Sequence, residues 1–355
     1  MKGSAMKKTL CLVVLMIVFS GCQKFENDAS EVAFLIQTGQ VFNKGVKTTI
    51  VHASSVLSIP NDRLMCVWYG GSDEGEPDTR IWYSLYDQET WGTPTQVPSV
   101  DNEAHWNPVL QDFGSFARVY FKVGTDTKTW KTKYCDFDYN SQTWGDVREL
   151  VEGDDSGGRG PVKNKCLVTL DHCIIAGAST EQGQWRAFFD LSNDGGNTWV
   201  KTDYVVAKTP DGEDVDMIQP TLWQDRSGLI HAMFRTKSKR IYRSDSDDGG
   251  RSWCNAYPTA LPNNNSGIDC VTTPNGWLWL VYNPFADGRR SKLVLSVSKD
   301  DGEHWKDVVT LEDSCNPFAE YSYPAIIADG DDLVITYTYK RKVIKYAFLQ
   351  LVLDE

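Results

Sequence analysis

Five tryptophans, Trp91, Trp144, Trp199, Trp253 and Trp305, recur every 52 to 55 residues along this 355-residue chain. Three of them close near-identical octapeptides: Ser192-Asn-Asp-Gly-Gly-Asn-Thr-Trp199, Ser246-Asp-Asp-Gly-Gly-Arg-Ser-Trp253 and Ser298-Lys-Asp-Asp-Gly-Glu-His-Trp305. A period of this length means one supersecondary unit repeated, each burying its apolar faces against its neighbours. The octapeptide reads as a hairpin turn: Asp takes backbone amides, Gly supplies positive φ, and Trp plugs the hairpin into the adjoining unit. Degenerate copies end at Thr90-Trp91 and Thr143-Trp144.

A second signal counts the units independently. Polar turns followed by short apolar strands occur six times, at Asn61-Asp-Arg63, Asp112-Phe-Gly-Ser115, Asp171-His172, Asp225-Arg-Ser-Gly228, Pro274-Asn-Gly276 and Asp329-Gly-Asp-Asp332. The strands that follow, such as Leu64-Met-Cys-Val-Trp-Tyr69, are rich in β-branched and aromatic residues, and no useful helical period appears after residue 30. Six four-stranded units closing on themselves predict an all-β, six-bladed propeller over residues 31–355. A further tryptophan would fall beyond residue 355, so the last blade needs an outermost strand from elsewhere. Glu31-Val-Ala-Phe-Leu-Ile36 supplies it from the N-terminus, leaving no open edge.

Lys7 and Lys8, an apolar run from Leu10 to Phe19 and the box Phe19-Ser-Gly-Cys22 read as a lipoprotein signal over residues 1–21. Cys22 is then the lipidation site, 22–30 a linker, and the expected location the outer membrane, facing the periplasm or the cell surface. Removing the signal, with its three lysines and no acid, takes the net charge from −12 to −15. Such acidity excludes nucleic acid as a partner and requires a local positive site for any anionic ligand. The seven cysteines after Cys22 contain no CxxC pair and fall largely in apolar text, as buried small hydrophobes do. No metal, no cofactor and a monomer are expected.

In a propeller, the start of each blade's first strand and the end of its second meet one face. Near the first-strand starts stand His52, Asn107, Lys163 or Lys165, Gln219, Asp269 and Tyr321. Seven residues past equivalent turn positions stand Gly70, Lys122, Ser179, Arg235, Asn283 and Tyr339. This ring is polar, aromatic and locally basic within an acidic protein, which points to an anionic, carboxylated ligand.

The octapeptides are Asp boxes, and the chain resembles the BNR-repeat branch of the sialidase (neuraminidase) superfamily. Ala104-His-Trp-Asn-Pro-Val-Leu110, Gly160-Pro-Val-Lys-Asn-Lys165, Ile218-Gln-Pro-Thr-Leu222, Asn265-Ser-Gly-Ile-Asp269 and Glu320-Tyr-Ser-Tyr-Pro-Ala325 carry the resemblance, which covers roughly residues 49–347. It implies three arginines on a sugar carboxylate. Arg235 matches the fourth-blade arginine and Arg290 the fifth-blade one, with Arg289 as rival; the first-blade position falls on His52. The resemblance places the tyrosine nucleophile on Tyr321, with Tyr323 close by, and its activating glutamate on Gln219, whose amide takes no proton. The acid/base aspartate falls in Gly70-Gly-Ser-Asp-Glu-Gly-Glu-Pro-Asp78, on Asp78 with Glu74 in reserve. Glu181, past the third blade's second strand, is a further candidate for substrate contact.

The leading expectation is a sialidase-type exo-glycosidase releasing a terminal acidic sugar. One alternative is a polysaccharide lyase, in which arginines neutralise a uronate and His52 or Tyr321 removes the C5 proton. The other is a glycan-binding lipoprotein without catalysis.

Overall fold

The computed structural model describes residues 32–43, 47–100 and 102–352. The signal segment, Cys22 and the linker lie outside the described residues. Six antiparallel sheets are arranged as the blades of a propeller, each following the chain from inner to outer strand. The inner strands, blades one to six, are Ile50–Ile59, His105–Asp112, Leu167–Val168, Met217–Gln224, Asp269–Thr272 and Tyr321–Asp329.

The ring closes as the sequence requires. Ala33–Gln40 pairs antiparallel with Val343–Leu351, from Ala33 opposite Leu351 to Gln40 opposite Lys345, and becomes the outermost strand of blade six. The start and end of the fold are thereby hydrogen-bonded into one sheet, which removes the edge where an unpaired blade would stick to another chain.

Each tryptophan of the repeat packs on the preceding blade. Trp91 meets Tyr346 of blade six, Trp144 meets Tyr83 of blade one, and Trp199 meets Tyr120 of blade two. Trp253 stacks on Phe189 of blade three with centroids 4.0 Å apart, and Trp305 packs on the cluster around Trp223 and Met233 of blade four. The turn beneath each is held by its own side chains. Ser192 Oγ donates to Asp194 and receives Gly196 N–H, while Asp194 Oδ1 takes the amides of Asn197 and Thr198. Ser246/Asp248 repeats this pattern, and Ser298/Asp300 repeats it with the His304 amide alone on Asp300 Oδ1. The Thr198 hydroxyl and amide hold the Asp194 carboxyl down at about 2.

Apolar side chains fill the wedges between blades: one cluster joins blades one and two, a second blades three and four, a third blades five and six. Five of the free cysteines, Cys66, Cys135, Cys166, Cys173 and Cys270, are buried in this packing; Cys254 and Cys315 are exposed.

Candidate functional site

One end of the ring carries the starts of the inner strands and the turns between second and third strands, at 72–79, 124–130, 181–185, 237–239, 283–291 and 340–342. Four inner strands share a device there. Each has a β-bulge, and its first residue has positive φ: Ala53 (51°), Asn107 (42°), Gln219 (55°) and Tyr323 (52°). Such backbone is uncommon for residues other than glycine and is found where function maintains it. The bulge breaks the in-out alternation of the strand and brings Gln219 and Tyr323 together over the channel.

Both meet Arg235, from the second strand of blade four. Arg235 Nη1 donates to Gln219 Oε1 at 3.0 Å and to Tyr323 Oη at 2.6 Å, and Nε donates to Asn265 Oδ1 at 2.9 Å. Arg235 as a whole is only 7% exposed, yet every one of these acceptors is neutral, and its Nη2 donates to no described residue. Trp185 covers one side of it at 5.4 Å and also lies under Lys237 at 3.7 Å. A nearly buried cation that forms no ion pair with a described residue is costly, and an arriving anion relieves that cost. Gln219 is what leaves the charge open: a carboxylate in its place would neutralise Arg235 from within.

Arg290 and Arg341 complete the positive cluster. Glu320 bridges them, at 2.8 Å from Arg290 Nη1 and 2.9 Å from Arg341 Nε, with a third bond from Ser322 Oγ. Burial pushes the Glu320 carboxyl up, but the two guanidiniums outweigh it and hold the group below its usual range. Arg341 also pairs with Glu74, which accepts from Tyr69 Oη at 2.6 Å. His52 packs against Tyr323 at 4.1 Å and edge-on to Tyr69 at 5.7 Å. Burial, then the charges of Arg341, Arg290, Arg235 and Lys163, push its pKa well below the usual histidine value. His52 is therefore a neutral wall residue, with Nδ1 against Thr338 Oγ1 at 3.0 Å, and it is no carboxylate-pairing cation.

Beneath the ring, Lys163 Nζ is buried among Asn164 Oδ1 and the carbonyls of Ile268 and Pro324, and burial brings its pKa down to about 7. Lys165 pairs with Asp269 at 3.0 Å, and Asp269 also takes Thr221 Oγ1 and Ile326 N. These three residues bind blades three, five and six across the channel, and their capacity is spent on that. Asn107 occupies the second blade's bulge, at the same backbone position as Gln219.

Several expected residues are elsewhere. Tyr321 is 2% exposed and packs on Tyr339 in the core between blades five and six; Tyr323 takes the position expected of it. Tyr339 lies over Lys345 and Lys340, outside the cluster. The cause is register: Thr338, not Tyr339, stands opposite the residue before the bulge, and a one-residue slip reverses the face of a strand. Arg289 is turned outward to Asp287 and Phe285. Lys122 is fully buried between Thr132 Oγ1 and the carbonyl of Arg159. Asn283 braces the backbone at Lys292 and Tyr321. Asp78 is exposed, with its oxygens on the amide and hydroxyl of Ser72 in its own loop. Glu181 does reach the site: it is half-buried, and its electrostatic neighbours are Arg235, Lys237 and Glu74.

Arg341 was not read as a site residue, and neither were Glu320, Asn265, Trp185, Lys237 and Tyr69. Arg341 stands in Lys340-Arg-Lys342, which resembles a solvated hairpin turn; both Lys340 and Arg341 have positive φ. The available signal was position. The tripeptide occupies the same turn in blade six that carries Asp78 in blade one and Arg290 in blade five.

A six-bladed, all-β ring with this mouth is a sialidase-like propeller. Residues 62–335 match the BNR repeat-like domain, and the chain belongs to that family. A crystal structure of a protein of unknown function from Dyadobacter fermentans superposes with TM-score 0.73 at 13% identity, over 90% of this chain and 99% of that one. A Hadza microbial sialidase superposes with TM-score 0.73 at 14% identity, over 87% of this chain and 68% of that one. The Trypanosoma rangeli sialidase in complex with 2,3-difluorosialic acid gives 0.69 at 12% identity, over 88% of this chain and 59% of that one. At these identities the likeness is one of fold. No curated protein sequence matches the chain.

Proposed function

We propose that the protein is an exo-acting glycoside hydrolase that releases a terminal carboxylated sugar from glycans. The observation that carries this is Arg235, nearly buried, held by three neutral acceptors and with one edge unused. A carboxylate laid on that edge, within the field of Arg290 and Arg341, gains charge-assisted bonds and relieves an uncompensated cation. Tyr323 is the group beside it with a nucleophilic oxygen. It is half-buried, so solvent can take its proton, and Gln219 has no basic atom to do so. A neutral phenol approaches the anomeric carbon without the repulsion that a second anion would meet from the substrate.

A panel of sialosides, 3-deoxy-ulosonic glycosides and glycosides of uronic acids tests the reading. Wild type should release the free acidic sugar from at least one, and Tyr323→Phe should lose at least about 10²-fold in rate. Absence of product from every glycoside would defeat it.

One observation favours a second reading: among the described residues, no carboxylate accepts the Tyr323 proton. A uronate lyase needs a neutralised carboxylate and a base but no activating glutamate, and the three arginines suit it equally. Its products carry an unsaturated uronate that absorbs in the near ultraviolet, so the same panel extended to uronate polysaccharides separates the two. As to location, a lipid tether through Cys22 is part of the proposal. Loss of membrane association in Cys22→Ala is the expected result.

A further inference from the structure

The hydrolase reading requires an acid at the departing oxygen, and the loop expected to supply it is occupied. Asp78 turns both oxygens to Ser72, at 3.1 and 3.2 Å from its amide and 2.9 Å from its hydroxyl. In Glu74, Oε1 is taken by the Tyr69 hydroxyl and Oε2 by Arg341. The third blade offers a carboxyl without such ties. Glu181 follows directly on the strand Ile174–Thr180, whose alternate residues face blade four. Gly177 lies against Pro220, where an added Cβ would come within 2.8 Å of the Pro220 carbonyl. Ser179 Oγ is 3.5 Å from the amide of Gln219. Glu181 opens the turn 181–185: its Oε2 receives the Thr127 hydroxyl of blade two, and Arg235 and Lys237 of blade four are its electrostatic neighbours. Trp185 of the same turn lies against that guanidinium, so the turn is fixed on the site.

We infer that Glu181 is the catalytic acid, donating its proton to the oxygen that leaves; this rests on the hydrolase reading. Its Oε2 accepts only the Thr127 hydroxyl, at 3.2 Å, and it forms no ion pair with any described residue. Burial pushes its carboxyl above the usual range; Arg235, the Thr127 hydroxyl and Lys237 oppose this and Glu74 reinforces it. A carboxyl that keeps its proton to higher pH is suited to acid catalysis. The step balances without a further reagent. The bond from the anomeric carbon to the leaving oxygen breaks with its electron pair going to oxygen, which takes the Glu181 proton. The Tyr323 oxygen bonds to the carbon as its proton passes to solvent; water then displaces that oxygen, leaving a hydroxyl on the carbon and its second proton on Glu181, and Tyr323 regains a proton from solvent.

The test compares two glycosides of the same acidic sugar, one with a 4-nitrophenyl leaving group, which departs without protonation, and one with a simple alkyl alcohol. Glu181→Gln should lower kcat/KM on the alkyl glycoside by about 10²-fold or more and change the nitrophenyl glycoside far less. The alkaline fall in the wild-type alkyl profile should vanish with it. Retained nitrophenyl activity shows that the variant is folded and binds. Equal losses on both glycosides, or a split shown by Asp78→Asn and not by Glu181→Gln, would overturn the assignment. A wild type inert even to the nitrophenyl glycoside would instead overturn the hydrolase reading, and Glu181 with it.

Discussion

At the outer rim, Asp194 and Asp248 make the same set of bonds in two blades and Asp300 keeps most of it in a third. At the channel mouth, Ala53, Asn107, Gln219 and Tyr323 hold the same bulged backbone position in four blades with four different side chains. The rim repeats its chemistry because each blade must solve one problem, a tight turn docked on a neighbour. The mouth repeats only its backbone, and the differing side chains make an asymmetric site from a nearly symmetric ring. The first region thus serves stability, and the proposed binding falls to the second.

That division can be broken most directly at Arg235. Arg235→Met should lower affinity for a carboxylated ligand by at least about 10²-fold, because a charge-assisted pair is lost. Its Tm should change little, since the residue removed is a nearly buried charge that forms no ion pair with a described residue. Isothermal titration and thermal melts on the same sample check both halves; a large drop in Tm would make Arg235 structural. Trp253→Ala should show the opposite pattern. Loss of its stack on Phe189 should cost about 3 kcal/mol in denaturant unfolding while kcat of the folded fraction is unchanged.

Gln219→Glu sharpens the comparison within the mouth. It gives Arg235 an internal partner, so ligand affinity should fall about tenfold at neutral pH and recover as the new carboxyl is protonated in acid. Ser246→Ala probes the rim more gently. It removes the acceptor of Gly250 N–H and should cost about 1 kcal/mol, lowering Tm by about 2 °C.

The smallest effect is one of pH. His52 is kept neutral by burial and the surrounding cations, so the unfolded chain takes up a proton below about pH 6.5 that the fold does not. The folded state should lose stability from about pH 6.5 downward until the lowered folded value is passed. His52→Asn should flatten that part of the curve in melts taken at a series of pH values; an unchanged slope would place the titration on other groups.

The number of blades, the turn boxes, the docking of the tryptophans on a neighbouring blade and the closing strand were all readable in the sequence. Each follows from a local motif or from periodicity, which survive without knowledge of what lies across the ring. Arg235, Arg290, Gln219, Glu74 and the vicinity of His52 were readable too, because they fall at blade positions that repeat. The exchange of Tyr321 for Tyr323 was not. A bulge inserts a residue without marking the sequence, and both tyrosines have the same parity along the strand. Arg341 was hidden for a different reason. A basic hairpin tripeptide looks solvated until Glu74 of blade one and Glu320 of blade six are seen to draw its middle residue inward. Sequence alone thus determined the architecture and the basic residues at its mouth, since both follow from positions that repeat from blade to blade. Only the tertiary structure decided which side chains meet there, because bulge register and ion pairs between blades depend on contacts between distant parts of the chain, 267 residues apart for Glu74 and Arg341.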